Sequence, residues 1–323
     1  MLASMSISKE RMFEVVFLGI LVYFFGRLPF LWSSITISTL VTVYIWYRLR
    51  SGCDPPVENR PEVKPPTTRD IINELYPRIS REEEDQLVAA AVCKMVTYDA
   101  GRVRCLENFR PVKESTECVY AKTANVWGSP DWQDDLTLEE NVFRALPTFL
   151  KFTMVCRSRA LDGFLYEVPG KKYAYNIKSF GQSLRRVLKT LSDHDPAGFH
   201  CMDKSYIERT GWVFQFNSCT FFITTFAPFY PETNPRYTFG CENAYFLFQP
   251  EISFALHDLS PDSPITNWDC PLTNRDKIRV AYRDAGRPFT VPSTLCYPMA
   301  PDMVKPVNMG EPQYEWWKPE DLQ

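Results

Sequence analysis

Five side chains that stand near the ends of apolar runs could do chemistry: Cys118, Arg236, Glu251, His257 and Arg279. Arg236 and Arg279 have paired N–H donors that suit a carboxylate ligand, or equally a salt bridge to an acidic neighbour. Glu251 and Glu242 could receive an amine or guanidinium. Glu242 reads as surface, whereas Glu251, taken as part of an apolar strand, is costly to bury unless paired. The chain has only three histidines. His257 follows the FQPEISF run closely enough to project from a strand end into a cleft, or to serve as an ordinary hydrogen-bonded residue. His194, between two aspartates, reads as a solvated helix cap, and His200 beside Cys201 as loop. Cys118 is one of ten scattered cysteines, none with CxxC spacing, so there is no zinc knuckle, thioredoxin-type motif or covalent c-type haem site. A buried free thiol is the ordinary reading for several of them.

The elements that must position these groups lie mostly within Gly211–Pro288. Trp212–Phe216, Thr220–Phe226 and Ala244–Gln249 are aromatic and β-branched runs that read as strands, cut short at Pro-rich corners. Thr273 then caps a helix over Asn274–Ala285, which Gly286 and Pro288 stop. Upstream the chain reads as helical. Thr68 caps a helix over Arg69–Leu75. Ser80 with Glu83 opens another that runs to about Thr97, with Leu87, Val88, Ala91, Val92 and Met95 on one face. Leu138–Ser158 has helical spacing with Pro147 as a kink, and Phe180–Leu191 is amphipathic. Helices first and strands later give an α+β class with a mixed or antiparallel sheet.

Aromatic residues make up 15% of the chain, which fits either a Phe-rich core or an aromatic-walled pocket. A net charge of -3 with dispersed Lys and Arg argues against a nucleic-acid partner. No GxGxxG or GxxxxGK[ST] cradle for phosphates is present. No N-x-[ST] sequon occurs, which favours a cytosolic domain.

The N-terminus is apolar almost without break from Met12 to Tyr47. Leu28–Tyr47 is long enough to cross a bilayer as a helix, and Met12–Phe25 either completes a hairpin or lies in the interface. Lys9 and Arg11 before, with Arg48 and Arg50 after, place both flanks on the cytosolic side. Residues 1–50 therefore read as a membrane anchor, 51–68 as a Pro-rich linker and 69–323 as one soluble domain.

Several of these residues carry a resemblance. Cys118-Val-Tyr-Ala-Lys-Thr-Ala is similar to the FPCxFAxxA stretch of the YqcI/YcgG family, and Trp212-Val-Phe-Gln-Phe to its W-x-F-x-F strand. Ala227-Pro228-Phe229-Tyr230 with Arg236, the Phe248-Gln249-Pro250 corner, Ile278-Arg279 and Glu315-Trp316 resemble its later elements, in the same order. Thr116-Glu117 stand where that family carries Phe-Pro, and Glu251 where a basic residue is common. Some members are haem-dependent oxygenases that hydroxylate a guanidino nitrogen of arginine-like molecules. The resemblance thus implies a membrane-anchored haem b monooxygenase with a redox partner, its alternatives being a ligand-binding protein without turnover or a tethered interaction domain. It makes His257 or Cys118 the iron ligand, Arg279 a propionate contact, and Glu251 with Arg236 the catalytic pair.

Overall fold

The alternation of side chains along two neighbouring strands explains how the domain is layered. The computed structural model describes residues 81–209, 211–257, 259, 265–288 and 299–319, all within one compact unit, Pro65–Gln323. The predicted anchor over residues 1–50, the linker and the helix Arg69–Leu75 lie outside the described residues. Among the described residues no helix is long and apolar enough to cross a membrane.

The helices, in chain order, are α1 Arg81–Met95, α2 Arg104–Asn108, α3 Arg110–Ser115, α4 Leu138–Val155, α5 Gly170–Tyr173, α6 Ile177–Asp193, α7 Glu251–Leu256, α8 Asn274–Asp284 and α9 Met299–Met303. The strands are β1 Val126–Gly128, β2 Gly163–Val168, β3 Phe214–Phe216, β4 Cys219–Phe226 and β5 Ala244–Pro250. They form one five-stranded mixed sheet in the order β1-β2-β5-β4-β3. β1 and β2 are parallel and every other pairing is antiparallel. The class is α+β. β1 and β2 were not anticipated; they fall between helices, so helical and strand segments are less segregated than the sequence suggests.

Successive strand residues face opposite sides, and here each side is covered. Phe164, Tyr166, Phe246 and Phe248 point into the larger core against α4 and α6. Leu165, Tyr245 and Phe226 join Cys105, Phe109 and Val112 in a smaller core under α2 and α3. Phe149, fully buried on α4, is the centre of the larger one. Its ring centroid lies 5.1 Å from Phe164, 5.0 Å from Phe216, 5.3 Å from Phe221 and 5.3 Å from Phe248. Edge-to-face and tilted contacts of this kind add to the burial energy. The high aromatic content is therefore spent on a packed core.

Local signals explain the helix starts. Thr137 accepts from the Glu140 amide while Glu140 caps Thr137 in return, and Asn176 with Ser179 and Thr273 with Asp276 repeat the arrangement. Helix α4 runs through Pro147 without interruption. Helix α1 departs from its predicted face. Val92 is buried, but Leu87 and Met95 are exposed, because among the described residues only α4 packs closely on it.

Candidate functional site

The sheet ends place the five predicted site residues. Asp162, immediately before β2, is the node at one end. Its Oδ1 accepts from the Ser253 hydroxyl at 2.8 Å and stands 2.7 Å from His257 Nε2; its Oδ2 accepts the Asn125 amide at 2.7 Å. The starts of β1 and β2 and the helix after β5 are thus tied to one carboxylate. Asp162 is nearly buried, whereas the His257 side chain is 36% exposed. The Tyr120 ring lies 5.1 Å from the His257 ring, and its hydroxyl bonds the His257 carbonyl oxygen at 3.2 Å. The Asn274 amide, at the head of α8, donates to the same hydroxyl at 2.5 Å. Three stretches singled out by the sequence, around Cys118, after Pro250 and along α8, therefore meet at Tyr120.

Pro250 ends the β-ladder and begins α7, so Glu251 occupies the first helical position and is exposed. It is not in a strand, and the expected cost of burying it does not arise; an acid there is favoured by the helix N-terminus. His257 caps that short helix, so it does not project from a strand end. Cys118 is half-buried, and burial pushes its thiol above the ordinary range despite backbone N–H groups of Tyr120 and Ala121 that favour the thiolate. Arg279 is buried on α8 and donates to Thr266 Oγ1 at 2.8 Å and the Ile265 carbonyl at 3.3 Å.

Arg236 lies at the other end of the sheet. Its guanidinium sits 5.9 Å from the ring of Phe226, the last residue of β4, which pairs with Tyr245 near the start of β5. The length of β5 separates it from Glu251, about 20 Å at the usual strand rise. Arg236 and Glu251 thus do not form one catalytic pair. Arg236 instead faces Asp302 at 3.7 Å, and Lys305 pairs with the same carboxylate. Burial pushes the Asp302 carboxyl up, but the Lys305 ammonium and the Arg236 guanidinium hold it below the usual carboxylate range. Arg236 Nε is buried with no hydrogen-bond partner.

A cleft of about 610 Å³ opens elsewhere, between the segment Asp134–Leu138 and the stretch from Lys172 to Arg186. Its size falls in the range of small-molecule sites. Asp134, Asp135 and Lys172 line it, are exposed and form no ion pair among the described residues. Arg186 is held by the two hydrogen bonds that it donates to Glu139, at 2.7 and 2.8 Å. Tyr173 packs against Trp132, and the Lys172 ammonium lies 5.2 Å from the Tyr173 ring centre. Gln182 lines the cleft with an amide nitrogen that is buried and makes no hydrogen bond. Such a group is costly to leave unmade. Sequence reasoning named none of these residues, since they belong to no motif and are joined only by folding.

Asp193, His200 and Asp203 gather ligand atoms within 4.8 Å of one another. The Lys189 ammonium already bridges the two carboxylates. His194 caps α6, as the sequence suggests, through its ring nitrogen and the Thr190 carbonyl at 2.8 Å.

Haem would need His257 or Cys118 as its iron ligand. The imidazole donor chemistry is right, since a carboxylate behind a ligating histidine is the usual arrangement. The geometry is not. Nε2 is taken by Asp162, leaving Nδ1, whose position beside Cβ brings a flat macrocycle against the backbone. Burial pushes the Cys118 thiol above the ordinary range, which disfavours the free thiolate. As placed, His257 gives its Nε2 to Asp162 and not to an iron. No family model, no curated protein and no solved structure matches the chain.

Proposed function

We propose that this chain is a membrane-tethered domain that binds a small molecule carrying both a carboxylate and a cationic nitrogen, in the cleft between Asp134–Leu138 and Lys172–Arg186. The observation that carries this reading is the lining of one cleft by Asp134, Asp135 and Lys172, none of them in an ion pair among the described residues, together with a buried Gln182 amide nitrogen that makes no hydrogen bond. The aspartates suit an amine or guanidinium, and Lys172 with the Gln182 N–H suits a carboxylate. An arginine-like molecule has both ends, which agrees with the substrate class implied by the family resemblance. The tether is the apolar N-terminus, and its flanking Lys and Arg residues favour a cytosolic domain.

Calorimetric titration of the full chain in detergent tests this. L-Arginine is expected to bind, its analogue lacking the carboxylate to bind more weakly, and Lys172→Ala to lose about tenfold in affinity, or about 1.4 kcal/mol. Absence of heat with every such compound overturns the reading.

A second reading, haem-dependent N-hydroxylation of such a molecule, is favoured by one observation: the stretches that carry the family resemblance meet at Tyr120. It needs an iron ligand, and that requirement separates the two. Protein expressed with haem supplied is expected to be colourless. A Soret band that His257→Ala or Cys118→Ala abolishes establishes haem binding, and turnover of arginine-like compounds with a reductant then decides for the oxygenase.

A further inference from the structure

Five large apolar side chains that stay exposed are carried by stretches that converge. Val119 precedes Tyr120, Leu256 precedes His257, and the Tyr120 hydroxyl bonds the His257 carbonyl oxygen at 3.2 Å. Leu272 stands two positions before Asn274, whose amide donates to the same hydroxyl. Ile265 and Trp268 share the segment Ile265–Leu272 with it, and Ile265 and Leu272 are 77% and 74% exposed. That segment is fastened to α8. Arg279 donates to the Ile265 carbonyl oxygen at 3.3 Å and to Thr266 Oγ1 at 2.8 Å, and the Arg283 guanidinium lies 5.4 Å from the Trp268 ring centre. Polar atoms of the segment are thus engaged by the helix while its apolar side chains stand in water. Isolated exposed apolar residues are ordinary, whereas a group of them marks a contact surface.

We propose that this face is a second membrane contact, in which Ile265, Trp268 and Leu272, with Val119 and Leu256 beside them, enter the headgroup boundary of an anionic bilayer. The inference rests on the membrane-tethered reading of the chain and adds to it the surface that the domain lays on the lipid.

Reach, composition and charge choose the bilayer over a protein partner. The chain between Arg50 and Arg81, the first described residue, extends about 100 Å at most. A domain anchored through Met12–Tyr47 therefore stays close to lipid, and a weak contact gains from that proximity. The segment also has the composition of an interfacial one. A Trp ring sits well at headgroup depth, where its body is apolar and its N–H stays hydrated, and Ile and Leu supply apolar area. Charge is complementary as well. Helix α8 holds four cations, Arg275, Lys277, Arg279 and Arg283, against two acids, Asp276 and Asp284, which is a local excess of positive charge in a chain of net charge -3. Of the four, Lys277 and Arg283 are exposed. Asp269 is the only acid within Ile265–Leu272. The cytosolic leaflet is negative and attracts such an element.

The test places the full chain in vesicles of phosphatidylcholine and phosphatidylserine, with and without bromine on the acyl chains near the headgroups. Bromine quenches tryptophan emission only at close approach. Trp32 and Trp46 lie in the apolar N-terminal run and are quenched whenever the tether holds, so the quantity read is the part of the emission that Trp268→Phe removes. Brominated lipid is expected to quench that part. The quenching is expected to be lost when Ile265→Asp and Leu272→Asp are introduced together, and to weaken in vesicles of phosphatidylcholine alone. A chain that floats with the vesicles while its Trp268 emission ignores bromine overturns this contact and leaves the tether standing. A chain that does not float with the vesicles overturns both. Trp268 emission that follows protein concentration instead of lipid assigns the face to a second copy of the chain, and overturns the proposal as well.

Discussion

Asp162 Oδ1 serves two donors at once, His257 Nε2 at 2.7 Å and Ser253 Oγ at 2.8 Å, while Oδ2 takes the Asn125 amide. The carboxylate is nearly buried and the imidazole is not. The asymmetry predicts unequal effects of mutation. Asp162→Ala leaves three donors without their acceptor near the sheet end, and hydrogen bonds to a charged group contribute about 1.5–3 kcal/mol each. A loss of about 3 kcal/mol or more is expected in a urea titration. His257→Ala removes a partner that water already screens, so about 1 kcal/mol or less is expected. Equal losses for the two variants would show that the imidazole, and not the carboxylate, is the structural element.

The buried charges at the opposite end of the sheet make a pH prediction. The Asp302 carboxyl is lowered from its ordinary 3.8 in the folded state. A depressed carboxyl contributes stability that is present above the unfolded value, about pH 4, and is lost as pH falls through the folded value. Acid unfolding of the unmutated chain is therefore expected to steepen below pH 4. Asp302→Asn should flatten that limb and lower stability at neutral pH by about 3–5 kcal/mol, because Arg236 and Lys305 lose their countercharge. An unchanged acid limb in Asp302→Asn removes Asp302 as its source.

How far the sequence foretold this arrangement depends on the range of each interaction. Local signals were legible: Thr273 heads its helix, and β4 and β5 fall close to the runs that announced them. Pro250 was read as a corner, although the helix that it begins was not, so Glu251 was taken for a buried strand residue. The three-residue β1 and the six-residue β2 were missed. β1 has too few residues to show a period, and β2 is buried on both faces, which erases the alternation that marks a strand. The site was less legible still. His257 was noticed for its type, but its partner Asp162 lies ninety-five positions away and belongs to no motif. Arg236 realised its simpler alternative, an ion pair, with a residue sixty-six positions on. The cleft could not be inferred, because Lys172, Gln182, Asp134 and Asp135 come to line one cleft only once α4 and α6 pack together.

Burial of Cys118 has a consequence for labelling. Its thiol is raised above the ordinary value of 9.0, so it stays protonated at neutral pH and its reactivity should climb only in alkaline solution. Cys93 and Cys270 are exposed. Iodoacetamide at pH 7.5 is expected to modify Cys93 and Cys270 well before Cys118, as read by peptide mass spectrometry over time. Fast labelling of Cys118 at neutral pH would instead mark it as an activated thiolate and revive it as a ligand candidate.

The cleft can be disturbed without touching a charged group. Helix α5 carries Lys172 and Tyr173 into it, and that helix begins at Gly170, packed tightly against the Glu242 carbonyl oxygen and the Pro228 ring. A Cβ at Gly170 would lie well inside van der Waals contact with the Glu242 backbone, which cannot swing aside as a side chain can. Gly170→Ala must therefore displace α5, and overpacking of this kind costs about 1–3 kcal/mol. If Lys172 and Tyr173 form the cleft wall that holds the ligand, arginine affinity should fall in the same variant, although no contacting side chain has changed. Gly101→Ala is the matched control, since its Cβ would meet only Asp99 Oδ1 at an ordinary 3.5 Å. That variant should retain both stability and affinity. Unaltered arginine binding in a destabilised Gly170→Ala protein would move the ligand away from α5 and out of this cleft.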